Sequence, residues 1–436
     1  MFWKHPQEEY SILSKFQISW MSDPKIGGFM KNVADILPEL LSITSKGLTR
    51  SEIRELLKLT RQLGVISFAG GLPFSGLFPI EEMKDIVNAV LDKEGQIALQ
   101  YGPTEGDSRL RRFLVEKVRA DEGVDVEEEN ILIVSGSQQA LDLIGKIFIN
   151  PGDPIIVGLP SYLGGIQAFK SFRANMLGAR LDKQGMNIDT VEDILRTYTA
   201  KGQKIKFVYV VPDFQNPSGV TLSLERRKRL LDLCYAYDTV VVEDTPYREL
   251  RFEGEPVPKL GALDKRGHAF SLHTFSKILF PGTRIGWIVA NKAIMDKLVM
   301  AKQPTDLCSP PLNQSIIYEF CRRGLLEPHI EKIIGVYRKK RDVMIKALEE
   351  YMPKEEGIDW THPEGGLFLW VTLPESMDAE KLFPKAVEKK VAYVVGSAFH
   401  FDRSGKNTMR LNFSYPTEEE IDEGIKRLAG LIKEEL

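Results

Sequence analysis

The sequence predicts an α/β protein, with a mainly parallel central sheet in a large domain and a smaller α+β domain after it. Three observations carry this. At 436 residues the chain is longer than one small core accommodates. Between about residue 100 and residue 300, short apolar runs alternate with helix-length segments: "ILIVSG" (131–136), "PIIVG" (154–158), "FVYVV" (207–211), "TVVVED" (239–244), "HAFSLHTFS" (268–276) and "RIGWIVA" (284–290). Strands that are apolar throughout, each followed by a helical pattern, imply a parallel sheet covered on both faces. After Pro310 the chain turns mostly helical through "VYRKKRDVMIKALEEYM", then yields short strands at "GGLFLWVTL" and "NTMRLNFSY" before a final helix.

Taken in order, residues 1–45 form an extension of unreadable role, with a helical pattern in "KNVADILPELLSI". Residues 46–70 hold a better helix, "TRSEIRELLKLTRQ", with Ser51 as its cap and Ile53, Leu56, Leu57 and Thr60 along one face. This segment and its linker are expected to pack with the small domain and the active site. The glycines of "ISFAGGLP" then break the helix and bring bare backbone close to something. The large domain is expected over 71–309 and the small domain over 310–436. No internal repeat or low-complexity segment interrupts them.

Composition narrows the function. A formal charge of −3, with 43% hydrophobic and 27% charged residues, is that of an ordinary globular protein and gives no reason to propose nucleic acid or an anionic membrane as partner. Cys234, Cys308 and Cys321 have no CxxC spacing, which argues against a disulfide framework or a structural zinc and fits a reducing cytoplasm. The first residues lack a signal-type apolar core, and no stretch approaches the roughly 18 apolar residues of a membrane span. The motifs HExxH, GxSxG and GxxxxGK[ST] are absent, and no GxGxxG follows a strand.

In open parallel sheets ligands sit at the carboxyl ends of the strands, and those ends supply "SGSQQ", "GLPSY", "PDFQNPSG", "EDTPY" and "TFSK". Each has an ordinary reading. "SGSQQALD" is a strand–helix turn that binds nothing, or an anion cradle of free N–H groups with Ser137 and Gln138. Glu243 and Asp244 cap the next element, or one of them, pointing opposite to the other by strand alternation, holds a pyridinium N–H. "PDFQNPSG" is turn chemistry, or a cis Asn–Pro bond that aims Asn216 into a site. Arg284 and Arg410 belong to a set of 58 Lys and Arg residues that mostly face water. Arg410, however, lies in an alternating strand, where an inward arginine needs an anionic partner. Lys277, in "HTFSKILFPGTRIGW", caps a strand in water or forms a Schiff base with a carbonyl, which needs a partly desolvated amine.

Together, and in this order, "ISFAGGLP", "ALQYGPTEGD", "GSQQALDLIGKIF", "NPSG", "VVEDTPY", "TFSKILFPGTRIGW" and "MRLNF" resemble the class I/II aminotransferases of pyridoxal-phosphate fold type I. The resemblance covers roughly residues 50–436 and is nearest to the branch of 2-aminoadipate (LysN-like), kynurenine and multi-substrate aminotransferases. It implies pyridoxal 5'-phosphate as cofactor and a homodimer with shared active sites. Lys277 would hold the cofactor and move the proton from substrate Cα. Asp244 would pair with the ring nitrogen, Tyr247 and Asn216 with the ring hydroxyl, and Tyr162 would stack on the ring. Ser137, Gln138, Ser276 and Arg284 would hold the phosphate, with Tyr101 reaching it from the neighbouring subunit. Arg410 would grip the substrate α-carboxylate, assisted by Asn216 and the backbone at Gly71. Arg54, in "IRELLK", would take the distal carboxylate of an acidic substrate; otherwise it is a solvent-facing arginine. Thr274 stands where the pattern has Ser, and residues 1–45 exceed the family's usual start.

The implied activity is transfer of an amino group between an L-amino acid and a 2-oxo acid. Glutamate and 2-oxoglutarate are the expected shared pair, with 2-aminoadipate, aromatic or aliphatic partners. The rivals are another reaction on the same fold, such as elimination or decarboxylation, and a ligand-sensing regulator; the short extension with no basic recognition helix speaks against the latter.

Overall fold

In the computed structural model, which describes residues 32–46 and 64–436, every apolar run singled out above forms a strand. In chain order the first strands are β1 (Ile66–Ser67), β2 (Ile131–Val134), β3 (Pro154–Leu159), β4 (Asn175–Asp182), β5 (Gly185–Met186), β6 (Phe207–Val210), β7 (Val240–Asp244), β8 (Ala269–Thr274) and β9 (Gly286–Val289). All but β1 join one eight-stranded sheet in the order β2-β9-β8-β7-β6-β3-β4-β5. β8, β7, β6, β3 and β4 run parallel. Helices cover both faces, so β2 and β6 are buried at every residue.

Two features depart from the simple pattern. β4, "NMLGARLD", mixes Asn, Arg and Asp with Gly because it lies near the sheet's edge and is mostly half exposed, so it carries no continuous apolar signal. β9 is antiparallel to both of its neighbours, β8 and β2. The chain leaves the sheet at the end of β8 and re-enters at the same end through β9, which brings Lys277 and Arg284, on the connecting turn, to one edge.

β3 leads outward to β4 on one side, while β6, β7 and β8 proceed away on the other. The β3–β6 boundary is therefore the switch point at which open α/β sheets form ligand crevices. Tyr162 follows β3, Asn216 follows β6 and Asp244 ends β7.

The remaining strands are β10 (Asp359–Trp360), β11 (Phe368–Thr372), β12 (Val391–Ala392), β13 (Val394–Val395) and β14 (Thr408–Asn412). β10, β11, β14 and β13 form a four-stranded antiparallel sheet, while β1 pairs in parallel with β12 and ties residues 66–67 to the C-terminal part of the chain. The long helix Leu326–Tyr351 packs on the last helix, Glu418–Glu435. Pro311–Arg322 packs instead on Ile80–Ala98 and Ser108–Glu122.

The chain divides into two compact units, within residues 1–49 and 50–436. In the first, "VADILPEL" forms the helix Val33–Leu40, started by a capping box between Asn32 and Asp35. The helix expected from Ser51 lies outside the described residues.

Candidate active site

A cavity of about 140 Å³ opens at the switch point, lined by Ser137, Gln138, Tyr162, Asn216, Asp244, Tyr247, Thr274, Ser276, Lys277 and Arg284 together with three apolar residues. Residues far apart in sequence thus meet because each follows a neighbouring strand of one sheet.

Asp244 ends β7 with 1% of its surface exposed. Tyr209, on the adjacent β6, donates its hydroxyl to Oδ2 at 2.9 Å, while Oδ1 is buried without any partner. Burial pushes this carboxyl up to about 7, and the tyrosine bond opposes it only in part. An acid in this state is short of one cationic donor. Its neighbour Glu243 points to the other face and is satisfied there by the amides of Leu260 and Gly261 and the Ser271 hydroxyl. The choice between the two acids therefore falls on Asp244.

Lys277 donates Nζ to the carbonyl of Gly71 at 2.8 Å. Burial, and the positive charges of Arg410 and Arg284, lower its amine to about 8. A larger share of such amines is neutral near neutrality than for an ordinary lysine. This is the desolvated amine that attack on a carbonyl requires.

Arg284 closes a 3₁₀ turn at Pro281–Thr283 in the left-handed region, at φ 51°, a strained conformation that recurs at functional sites. Its guanidinium reaches the Ser276 hydroxyl at 3.5 Å and the Ser135 carbonyl at 3.2 Å. Gly136, at φ 77°, makes this possible, since a Cβ there would stand 2.5 Å from the guanidinium. Helix Ser137–Phe148 starts at the next residue with its free N–H groups. Thr274 accepts from the Ser276 amide and donates to its hydroxyl. Cation, hydroxyls and helix N-terminus together suit a phosphate dianion.

Arg410 comes from β14, the middle of the small sheet, and is 3% exposed. It donates to Asn216 Oδ1 at 2.9 Å and to the Ala69 carbonyl at 2.8 Å, lies over the rings of Phe368 and Phe399, and leaves Nε unpartnered. Burial lowers its pKa to about 10, and no acid offsets its charge in any of these contacts. A buried arginine so placed asks for an anion. Asn216 precedes a cis Pro217, and its Nδ2 lies 3.3 Å from the Tyr247 hydroxyl, so it joins the two ends of the site. Burial raises Tyr162 to about 12 and Tyr247 further, so both are neutral phenols.

One residue singled out in the sequence lies elsewhere. Tyr101 is 78% exposed and lines a different cavity, with Pro103, Arg109 and Pro311. Arg54 lies outside the described residues. Sequence reasoning missed Tyr209, whose position inside "FVYVV" made it look like core; the signal available was that a buried tyrosine hydroxyl requires a partner. It also missed Phe368 and Phe399, which sandwich Arg410.

Residues 74–428 match the family model described as "Aminotransferase class I and II". The aromatic-amino-acid aminotransferase 1 of Thermococcus litoralis is 52% identical over 390 residues, 89% of this chain and 93% of that protein. The chain belongs to the class I and II aminotransferases. Among solved structures it is similar to the kynurenine aminotransferase of Pyrococcus horikoshii in complex with PMP, with a TM-score of 0.89 and 47% identity over 93% of this chain and 100% of that one. It is also similar to LysN, the α-aminoadipate aminotransferase of Thermus thermophilus, complexed with N-(5'-phosphopyridoxyl)-L-leucine, with a TM-score of 0.84 and 40% identity over 91% and 98% of the two chains. This aminotransferase therefore shares its fold, over more than nine-tenths of the chain, with enzymes of amino-group transfer.

Proposed function

We propose that this aminotransferase uses pyridoxal 5'-phosphate to pass the amino group of an L-amino acid to a 2-oxo acid, with glutamate and 2-oxoglutarate as one pair. The other pair is drawn from 2-aminoadipate, aromatic or aliphatic substrates, the range spanned by its relatives' names. The observation that carries the cofactor reading is the buried, partnerless Oδ1 of Asp244, in the same cavity as the low-pKa Lys277 and the Arg284 cradle. The donor set fits: an acid for a ring N–H, an amine for a carbonyl, and a cation with hydroxyls for a phosphate.

When bound, the cofactor supplies the electron sink for charge leaving Cα. The chain's own groups do the rest. Asp244 would keep a proton on the ring nitrogen through a charge-assisted bond. Asn216 and Tyr247 would hold the ring hydroxyl, Tyr162 would lie against the ring, and Ser137, Gln138, Ser276 and Arg284 would hold the phosphate. Arg410, aimed by Asn216 and the Ala69 carbonyl, takes the α-carboxylate and orients Cα–H toward Lys277, whose Nζ removes the proton. ¹⁵N-glutamate supplied with a 2-oxo acid should yield labelled product amino acid one for one. Release of ammonia or CO₂ instead would indicate elimination or decarboxylation. Lys277→Ala should abolish turnover and the visible absorbance of the purified enzyme together.

Substrate choice is assigned to Arg54, which would hold a distal carboxylate. A charge-assisted contact of roughly 1.5–3 kcal/mol predicts that Arg54→Ala lowers kcat/KM for acidic substrates about 10- to 100-fold and spares neutral ones. Equal losses across leucine-like, aromatic and acidic donors would leave Arg54 only a structural role. The working form is a homodimer in the cytoplasm, Tyr101 completing the phosphate site of its partner. Because Lys277 and Arg284 line one subunit's cavity and only Tyr101 would come from the other, hybrid dimers of Lys277→Ala with Tyr101→Phe subunits should hold one intact site and exceed the activity of both parents. No helix of the described residues is long and apolar enough to cross a membrane.

A further inference from the structure

The turn after β1 supplies two backbone acceptors to the site: the Ala69 carbonyl receives Arg410, and the Gly71 carbonyl receives Lys277. Its glycines have little side-chain packing of their own, so something else must hold it in register. The holding groups come from one face of the helix Leu326–Tyr351. The amide of Phe74 donates to the hydroxyl of Tyr337 at 2.9 Å. One helical turn on, Lys340 lies with Nζ 3.6 Å from the centre of the Phe74 ring and donates to the Ser414 carbonyl at 3.0 Å. Ser414 in turn donates its hydroxyl to the Leu72 carbonyl at 3.0 Å. Tyr337, Lys340 and Ser414 are all buried.

Tyr337 packs in the core with its hydroxyl on the Phe74 amide, but Lys340 has no ready explanation as core packing. Lys340 is a buried amine that donates to a carbonyl, and its charge rests on an aromatic face. Burial lowers it to about 8, with Glu418 and Glu420 opposing from the last helix. A methionine would fill the same space without that cost. The phenol and the amine meet the Phe74 end of the Leu72–Phe74 segment directly, and Ser414, to whose carbonyl the amine donates, meets the Leu72 end.

We propose that Tyr337 and Lys340 are positioning residues for substrate binding: they fix the Ala69–Phe74 turn, whose carbonyls orient Arg410 toward the α-carboxylate and hold Lys277 before reaction. The proposal rests on the reading of Arg410 as the carboxylate site, so Arg410→Gln is the control. Three variants, Tyr337→Phe, Lys340→Met and Arg410→Gln, would be compared in the cofactor-loaded enzyme by steady-state kinetics, and in loaded and cofactor-free protein by hydrogen exchange of peptides spanning 68–78.

Tyr337→Phe removes one oxygen and leaves the fill of the core intact. Loss of that bond should raise exchange at the Phe74 amide about 10-fold, and raise KM for the amino donor about 3- to 10-fold with kcat within about twofold. Lys340→Met should do the same over Leu72–Phe74. If Arg410→Gln raises KM while both helix variants leave KM and exchange at 68–78 unchanged, the clamp is refuted and the carboxylate reading stands. An unmoved KM in Arg410→Gln overturns both. Faster exchange along the whole of 326–351 with a lowered melting temperature, and no KM change, would assign the pair to stability and overturn the proposal.

Discussion

Glu243 and Asp244 follow one another on β7, yet the two faces of the sheet treat them in opposite ways. On Glu243's face two backbone amides and a hydroxyl, at 2.9, 2.8 and 2.5 Å, meet the carboxylate and tie it to the turn at Leu260 and to β8. On Asp244's face one tyrosine meets one oxygen, and the other is left bare. Both acids are buried, so burial does not distinguish a structural acid from a working one. The difference lies in what remains unpaired and where it faces: Glu243 is saturated, while Asp244 keeps a bare oxygen and lines the Lys277 cavity.

The largest expected effect sharpens this contrast. Asp244→Asn keeps shape and an acceptor for Tyr209 but cannot hold a proton on the ring nitrogen, so kcat/KM should fall on the order of 10²–10⁴-fold while cofactor still binds. The cofactor-free protein should respond in the opposite sense. The Asp244 pKa is raised to about 7 from 3.8, so its share of stability is fully present below about pH 4 and is lost as pH rises through about 7. The loss is at most about 4 kcal/mol. Above neutrality, apo Asp244→Asn should therefore melt higher than apo wild type, and the two should converge near pH 4. Identical melting curves at pH 8 would mean that Asp244 is not held against its charge.

A smaller effect is expected from Tyr209→Phe. The phenol's bond lowers the Asp244 pKa against the larger push of desolvation, so its removal lets the pKa climb further. Activity should fall about 3- to 10-fold near neutrality, with the acid limb of the kcat/KM profile displaced to higher pH and the alkaline plateau nearly kept. A loss of the same size at every pH would show that Tyr209 acts by packing alone.

How much of this was legible in sequence follows from the same physics. The strands of the sheet interior announced themselves because both of their faces are buried, and the site could be placed at their ends by topology alone. Strand β4, next to the edge, did not, because a half-exposed strand with Arg180 and Asp182 has no continuous apolar run. Lys277 stood out as a cation at the end of an apolar strand, whereas Arg284 was one of 58 Lys and Arg residues until the family resemblance gave it a role. Tyr209 did not, because an aromatic inside an apolar run reads as core until the neighbouring strand is known to bring it a carboxylate. Tyr337 and Lys340 were invisible for a stronger reason: Tyr337 and its partner Phe74 are 263 residues apart, and a basic, amphipathic helix face predicts solvent, not a buried clamp. The antiparallel direction of β9 was also hidden, since strand patterns carry no sign of direction.

The least expected effect on catalysis is the strictest check on the comparison, because it asks the neighbouring acid to do nothing. Glu243→Gln retains one oxygen but turns the other into an NH₂ that must face N–H or O–H donors which now lack an acceptor. The cost of such a mismatch is about 1–3 kcal/mol, enough to lower the melting temperature by a few degrees in both cofactor-free and loaded protein. Nothing in the Lys277 cavity touches Glu243, since its side chain leaves the sheet on the other face, and so kcat/KM measured well below the transition should stay within about twofold of wild type across the pH range. The two neighbouring substitutions would then separate cleanly: one removes activity and stabilises the apoprotein at high pH, while the other removes stability and spares activity. Should Glu243→Gln instead lose activity as Asp244→Asn does, with its fold intact, the saturated acid would be part of the chemistry, and unpaired oxygens could no longer be used to tell the two carboxylates apart.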